Sequence, residues 1–513
     1  MRIAPLAACA SLAACVSLAA APASAEWHRA SSPHFIIYAD QRPADLKAFA
    51  EKLERFDQAV RVARSMKDPP VGDGNRLTVF VVPGALDVQK LMPGTNGNAL
   101  GFSRPRYWNS IAVVPRLLSR DWSLDAQTVF FHEYAHHLMF SDMRTPVPSW
   151  LVEGFAEFMS TAVVGKDGSV GLGAGAVHRA SVLRAPTRSK VPLTTILGGD
   201  RLLTGFERVS LYARGWLLAH YLTFSAARRG QIEAYLDAIA RGQPQLDAAR
   251  AVFGDLGQLD RELDAYLNAN KFPYLTLPAS EVRIGAIKVE PLGAGAAAIV
   301  PLMMKVQVGL ERKKRAALAT DARRLAAVHP DDPLMAMTLA AAELYNDNFA
   351  LADAAADRAV ALAPNSAEAL ILKGRAAIGR ARSGDKAVTF ATARGWFNRA
   401  NRLDPENPEP LVAFYRSFIE ERTQPTANAI AALHYASRLA PHDMSLLMNS
   451  ARRYLDDRKP AEARKALIPI AYNPHGGSLG EEARRLIGLI DSGQVAAATA
   501  ARPDFPDPSA PGN

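Results

Sequence analysis

Thr128-Val-Phe-Phe-His132-Glu133-Tyr134-Ala135-His136-His137-Leu-Met-Phe140 is the stretch on which the reading of this chain turns. Its apolar residues surround a helix on every side, which predicts a buried helix. Yet it carries His132, Glu133 and His136, whose burial costs free energy unless something compensates. A metal ion compensates. Two histidines four apart project from one helix face, so both imidazoles can reach one Zn2+ at ~2.0–2.1 Å. Glu133 then sits where a general base can take a proton from water. With 11 His in 513 residues, H-E-x-x-H arises by chance in roughly one such chain in a hundred. His137, five residues after His132, points away from the shared face and reads as a polar neighbour.

Zinc catalysis needs a third protein ligand and an open position. Pro146 and Pro148 stop the first helix and turn the chain. The next one reads Pro148-Ser-Trp150-Leu151-Val-Glu153-Gly154-Phe155-Ala-Glu157-Phe158. Leu151, Phe155, Phe158 and Ala162 form its apolar stripe. Glu153 and Glu157 lie four apart on another face, and spacing alone leaves open which of them reaches the metal. Gly154 predicts a close approach of the metal helix. His220, further on, reads as a packed or exposed histidine rather than a ligand.

H-E-x-x-H followed by W-L-x-E-G-x-A-E, with 16 residues between His136 and Glu153, resembles the gluzincin branch of the MA clan of metallopeptidases. It is especially similar to the bacterial peptidase-MA-like proteins that precede tetratricopeptide repeats. The resemblance covers residues 30 to 270, and its specific motifs occupy 132 to 157. It implies that His132, His136 and Glu153 bind zinc and that Glu133 activates water. Glu157 then accepts a hydrogen bond from the outer N–H of His132. The family also places a tyrosine about sixty residues past the ligand Glu to stabilise the oxyanion. Tyr212 is 59 residues on. An edge strand that pairs with substrate backbone carries over to Ile111, Ala112, Val113 and Val114.

Around the motif, His34-Phe-Ile-Ile-Tyr38, Leu77-Thr-Val-Phe-Val-Val82 and Asn109 to Val114 read as strands. Helical spacing runs from Ala44 to Arg64, and helix dominates from Leu124 to Ala269. In the second half a repeat appears. Ala359-x-x-Leu362-x-Pro364, Ala400-x-x-Leu403-x-Pro405 and Ala436-x-x-Leu439-x-Pro441 superimpose, and Ala352, Ala393 and Ala429 lie seven residues before each first Ala. Small residues at fixed positions let helices pack closely, and the spacing resembles tetratricopeptide repeats of ~34 residues. Pro330 and Pro474 mark degenerate units, and the longer spacing to Pro405 predicts an insertion near Arg380 to Lys386. The expected fold is therefore an α+β zincin-like catalytic domain followed by an all-α tetratricopeptide-type solenoid. Expected boundaries are a signal peptide over 1–25, the catalytic domain over 26–280, a transition over 281–314, repeats over 315–490 and a disordered tail over 491–513.

Composition agrees with a folded, exported protein. The hydrophobic fraction is 49% and the charged fraction 22%, which excludes a disordered or fibrous chain. A net charge of +9 over 513 residues is a mild excess and makes nucleic acid a poor first expectation. Arg2, the apolar run from Ile3 and Ala23-Ser24-Ala25 read as a cleavable leader, pointing to the periplasm or secretion. Cleavage removes both cysteines, Cys9 and Cys15. The alternative is a lipoprotein held to the membrane through Cys15, in the lipobox-like Leu12-Ala-Ala-Cys15. The leading functional expectation is a zinc metallopeptidase acting on a peptide or protein, with the repeats binding substrate or a protein partner. Its rivals are an inactive zincin-like domain in a repeat scaffold and zinc hydrolysis of a non-peptide bond. If the repeats only recruit substrate, a chain ending near Asn270 should still bind zinc and cleave small peptides.

Overall fold

Strand-forming runs and their covering helices build a mixed α/β N-terminal unit, and a long all-helical region follows it. The computed structural model describes residues 26–92, 101–116, 126–185, 190–199, 203–309 and 311–500. The expected leader, with Cys9 and Cys15, lies outside the described residues, as does 501–513. The described strands are β1 (Trp27–Ser31), β2 (Phe35–Asp40), β3 (Leu77–Val82), β4 (Phe102–Arg104), β5 (Ile111–Pro115), β6 (Val163–Val164), β7 (Val170–Leu172), β8 (Leu275–Leu277) and β9 (Lys288–Pro291). Six form the main sheet in the order β4-β5-β3-β2-β1-β9, and β6-β7-β8 form a small second sheet. β2, β3 and β5 run parallel, whereas β4 is antiparallel to β5.

Every residue of β3 is buried, because both faces of the sheet are covered. On one face Ile37, Val79, Val81, Ala112 and Val114 share a core with helices Pro43–Ala63 and Ala126–Asp142. Phe56 and Phe131 join these two helices, their rings stacked with centroids 3.8 Å apart. On the other face Tyr38, Phe80, Val82, Ile111 and Val113 lie under Val300, Met303, Met304 and Val308 of helix Ala294–Val308. The segment 281–314, expected to be a transition, is thus built into the N-terminal unit: β9 pairs with β1 and the helix after it roofs the sheet.

The strand expected at the edge of the sheet is interior. Ile111, Ala112 and Val113 are paired on both sides, to β3 and to β4, Val114 is paired to β3, and all four are buried. Among the described residues the end of the sheet is β4, in register Phe102↔Val113 and Arg104↔Ile111. The chain doubles back through Pro105 to Asn109, where Asn109 takes a left-handed φ of 53°, and this adds an antiparallel strand outside β5.

The helical region is a row of antiparallel pairs from Pro333–Tyr345 with Phe349–Leu362 through to Met444–Asp456 with Pro460–Ala471, closed by Gly477–Asp491. Ala352, Ala359, Ala393, Ala400, Ala429 and Ala436 are all fully buried. Each fills a helix contact that a larger side chain would force apart. The inserted residues extend helix Ala367–Arg382 and the turn after it. The tail begins later than expected, because Val495–Ala500 is still helical and buries Ala498.

Turns of these repeats face the N-terminal unit. The Gly74 amide donates to Asp404 Oδ2 (3.0 Å), Asn75 to the Leu439 carbonyl (2.7 Å), and the Tyr107 amide to Asp443 Oδ2 (2.9 Å). This side of the array is occupied by the chain itself.

Candidate metal centre

Helix Ala126–Asp142 presents His132 and His136 as its spacing requires, and helix Ser149–Ser160 packs back against it. His132 Nε2 and His136 Nε2 lie 3.1 Å apart, and each is 3.3 Å from Glu153 Oε2. All three residues are buried. Their donor atoms form a cluster within 4.8 Å of one another that could hold a metal ion. Neither oxygen of Glu153 makes a well-aligned hydrogen bond, although both are shut away from water. Lone pairs that converge without pairing in a buried pocket call for a cation.

Glu157, one turn further on, serves the other side of His132, with its Oε1 3.3 Å from His132 Nδ1. It is also held by His178 Nε2 (2.7 Å) and by a fork of bonds from Arg179. Burial alone would raise the carboxyl pKa of both acids. For Glu153 the imidazoles of His132, His136 and His475 hold it well below the usual range. For Glu157, His132, His178 and Arg179 do the same. Burial opposes a charge on His132, but Glu153 and Glu157 on its two nitrogens raise its pKa to about 10. The two carboxylates therefore demand positive charge between them.

Gly154 does not meet the metal helix. A Cβ on it would sit 2.4 Å from the Gly215 carbonyl oxygen, and one on Gly215 would sit 2.6 Å from that of Trp150. Helices Ser149–Ser160 and Gly205–Phe224 thus touch backbone to backbone, which only glycine permits. One turn before Gly215, Tyr212 is stacked on His132, ring centroids 5.7 Å apart, with the Arg179 guanidinium 5.2 Å from the centre of its ring. Burial, and then the charges of Glu153 and Glu133, push its phenol pKa up, so Tyr212 keeps its proton at neutral pH. Glu133 is half-buried beside His132.

Behind the centre, the Tyr134 hydroxyl donates to Asp57 (2.8 Å) and fixes the metal helix to helix Pro43–Ala63. His137 stacks on Tyr134 and lies against His442 of the repeats, its centroid 4.4 Å away. His220 is packed: it bonds to the Gly173 carbonyl and to Tyr266 among Phe158, Trp216 and Phe272. His178, Arg179 and His475 escaped the sequence reading. A buried Glu157 announces that some cation must face it, but no local pattern says which.

The two acids of the second helix make a direct test. Losing an ion's own ligand should abolish tight binding, while losing the partner of a ligand histidine costs ~10–100-fold in affinity. Glu153→Ala is expected to be metal-poor, and Glu157→Ala to be weakened yet restored by added zinc. Zinc titration giving the reverse order would exchange their roles. No protein-family model matches the chain, and no curated protein matches it in sequence.

Proposed function

We propose that this chain is a zinc-dependent peptidase of the gluzincin type whose catalytic unit is continued by tetratricopeptide-like repeats. The observation that carries the reading is the spacing of the three donor atoms. Ligands ~2.0–2.1 Å from a tetrahedral zinc stand about 3.3 Å from one another. The separations here are 3.1, 3.3 and 3.3 Å. Two imidazoles and one carboxylate suit zinc better than calcium or magnesium, which prefer oxygen.

His132, His136 and Glu153 would hold the ion, which when bound supplies a Lewis acid for the scissile carbonyl and for water. Glu133 accepts a proton from the attacking water and returns it to the leaving amine. The protonated Tyr212 hydroxyl donates a hydrogen bond to the oxyanion as it forms. Glu157 accepts from His132 Nδ1–H, which leaves Nε2 as the free nitrogen and fixes the ring. β4, at the end of the sheet and against the metal helix, offers its backbone edge to an extended peptide.

The test is elemental analysis of the mature protein combined with a peptide-library digest. One equivalent of zinc and cleavage at defined bonds are expected. Folded, metal-replete protein without zinc would end this reading, and zinc without peptide cleavage would favour a non-peptide bond or a scaffold.

A further inference from the structure

The metal centre has a neighbour from the far end of the chain. His475 lies 322 positions beyond Glu153, in the turn between helices Pro460–Ala471 and Gly477–Asp491. Its Nε2 is 3.1 Å from Glu153 Oε1, the oxygen not turned toward His132 and His136. Its ring meets that of His136 edge-on, centroids 5.6 Å apart. The turn is held firmly. The His475 amide donates to Asn473 Oδ1 (2.8 Å) and the Gly476 amide to the Asn473 carbonyl (3.0 Å). Ile468, in the helix before it, packs with Phe140, Met143 and Val152, and Val152 adjoins Glu153 in the chain. The repeat is thus seated on both ligand-bearing helices.

We infer that His475 is a positioning residue of the metal centre, its Nε2–H turning from its present ion-pair distance to donate to Glu153 Oε1, so that Oε2 alone faces the ion. A buried carboxylate with one free oxygen can swing to offer both, which changes the coordination number and crowds the open position. A donor on the second oxygen removes that freedom, the usual task of a group one shell out from a metal. The donor atoms that cluster tightly enough to share one ion belong to His132, His136 and Glu153, and His475 Nε2 is not among them. Its side chain is half exposed, so it lies at the surface beside the centre rather than in the core. The last repeat is accordingly part of the site it borders. This rests on the zinc reading for the identity of the ion.

The experiment uses the full-length protein, with zinc as the probe in competition with a chelator, and the visible spectrum of the cobalt(II) form. His475→Ala should weaken zinc by ~10–100-fold and alter the cobalt spectrum. His475→Gln, which still carries an N–H of similar reach, should recover part of both. A wild-type protein that binds no zinc would remove the zinc reading itself. Wild type that binds zinc, with His475→Ala matching it in affinity and spectrum, would overturn this inference and leave that reading standing.

Discussion

Replacing Glu133 by glutamine should leave zinc in place and lower peptide turnover by ~10²-fold or more, about 2.7 kcal/mol or more of lost barrier reduction. Glutamine keeps the size and reach of the side chain but has no basic oxygen at neutral pH. The three clustered donors, on His132, His136 and Glu153, are untouched, so metal content is expected to match wild type. The charge of Glu133 is felt by both Tyr212 and His475, which puts it near both. Elemental analysis and kcat/KM on a single peptide check both halves. A glutamine variant with undiminished turnover would mean that another group takes the proton, or that the hydrolysis comes from elsewhere.

A chain ending at Asn270 is expected not to fold as a stable monomer. It would lack β9, leaving β1 unpaired along one side, and it would lack helix Ala294–Val308. Tyr38, Phe80, Val82, Ile111 and Val113 would then face water. At ~1.5–3 kcal/mol for each large apolar side chain, the loss is of order 10 kcal/mol, comparable with the ~5–15 kcal/mol that holds an ordinary domain together. Bared sheet faces and edges also aggregate. Circular dichroism and size exclusion of the fragment are the measurements. A monomer of residues 26–270 with a cooperative melt and one zinc would show instead that the N-terminal unit stands alone, as expected if the repeats serve only to recruit substrate.

What could be read in the sequence was local. The four-residue spacing of His132 and His136, and of Glu153 and Glu157, places side chains on a face without knowledge of the fold, and their donor atoms meet as that spacing requires. The alanines of the repeats were legible for the same reason, since one position in each unit meets one environment. Strand order was not legible. Ile111 to Val114 read as a strand, but whether a strand is interior or terminal depends on whether something pairs outside it, and β4 is only three residues long. Helix Ala294–Val308 hid for another reason: it is apolar on nearly every side and holds Pro301, so no periodic stripe marks it. His475 had no local signal at all, being a single histidine in a turn.

The bonds between the repeats and the N-terminal unit also set a timetable. Tyr107 and Asp443 are 336 residues apart, and Asn75 and Leu439 are 364 apart. A ribosome adding ~5–20 residues per second needs roughly 20–70 s to span such a gap. For most of that interval the residues of the HExxH helix, Ala126–Asp142, have been made while the turns that will lie against its unit have not. Contacts so distant in the chain also close slowly once both partners are present. A chain built in this way completes the surroundings of its three clustered donors only near the end of its own synthesis.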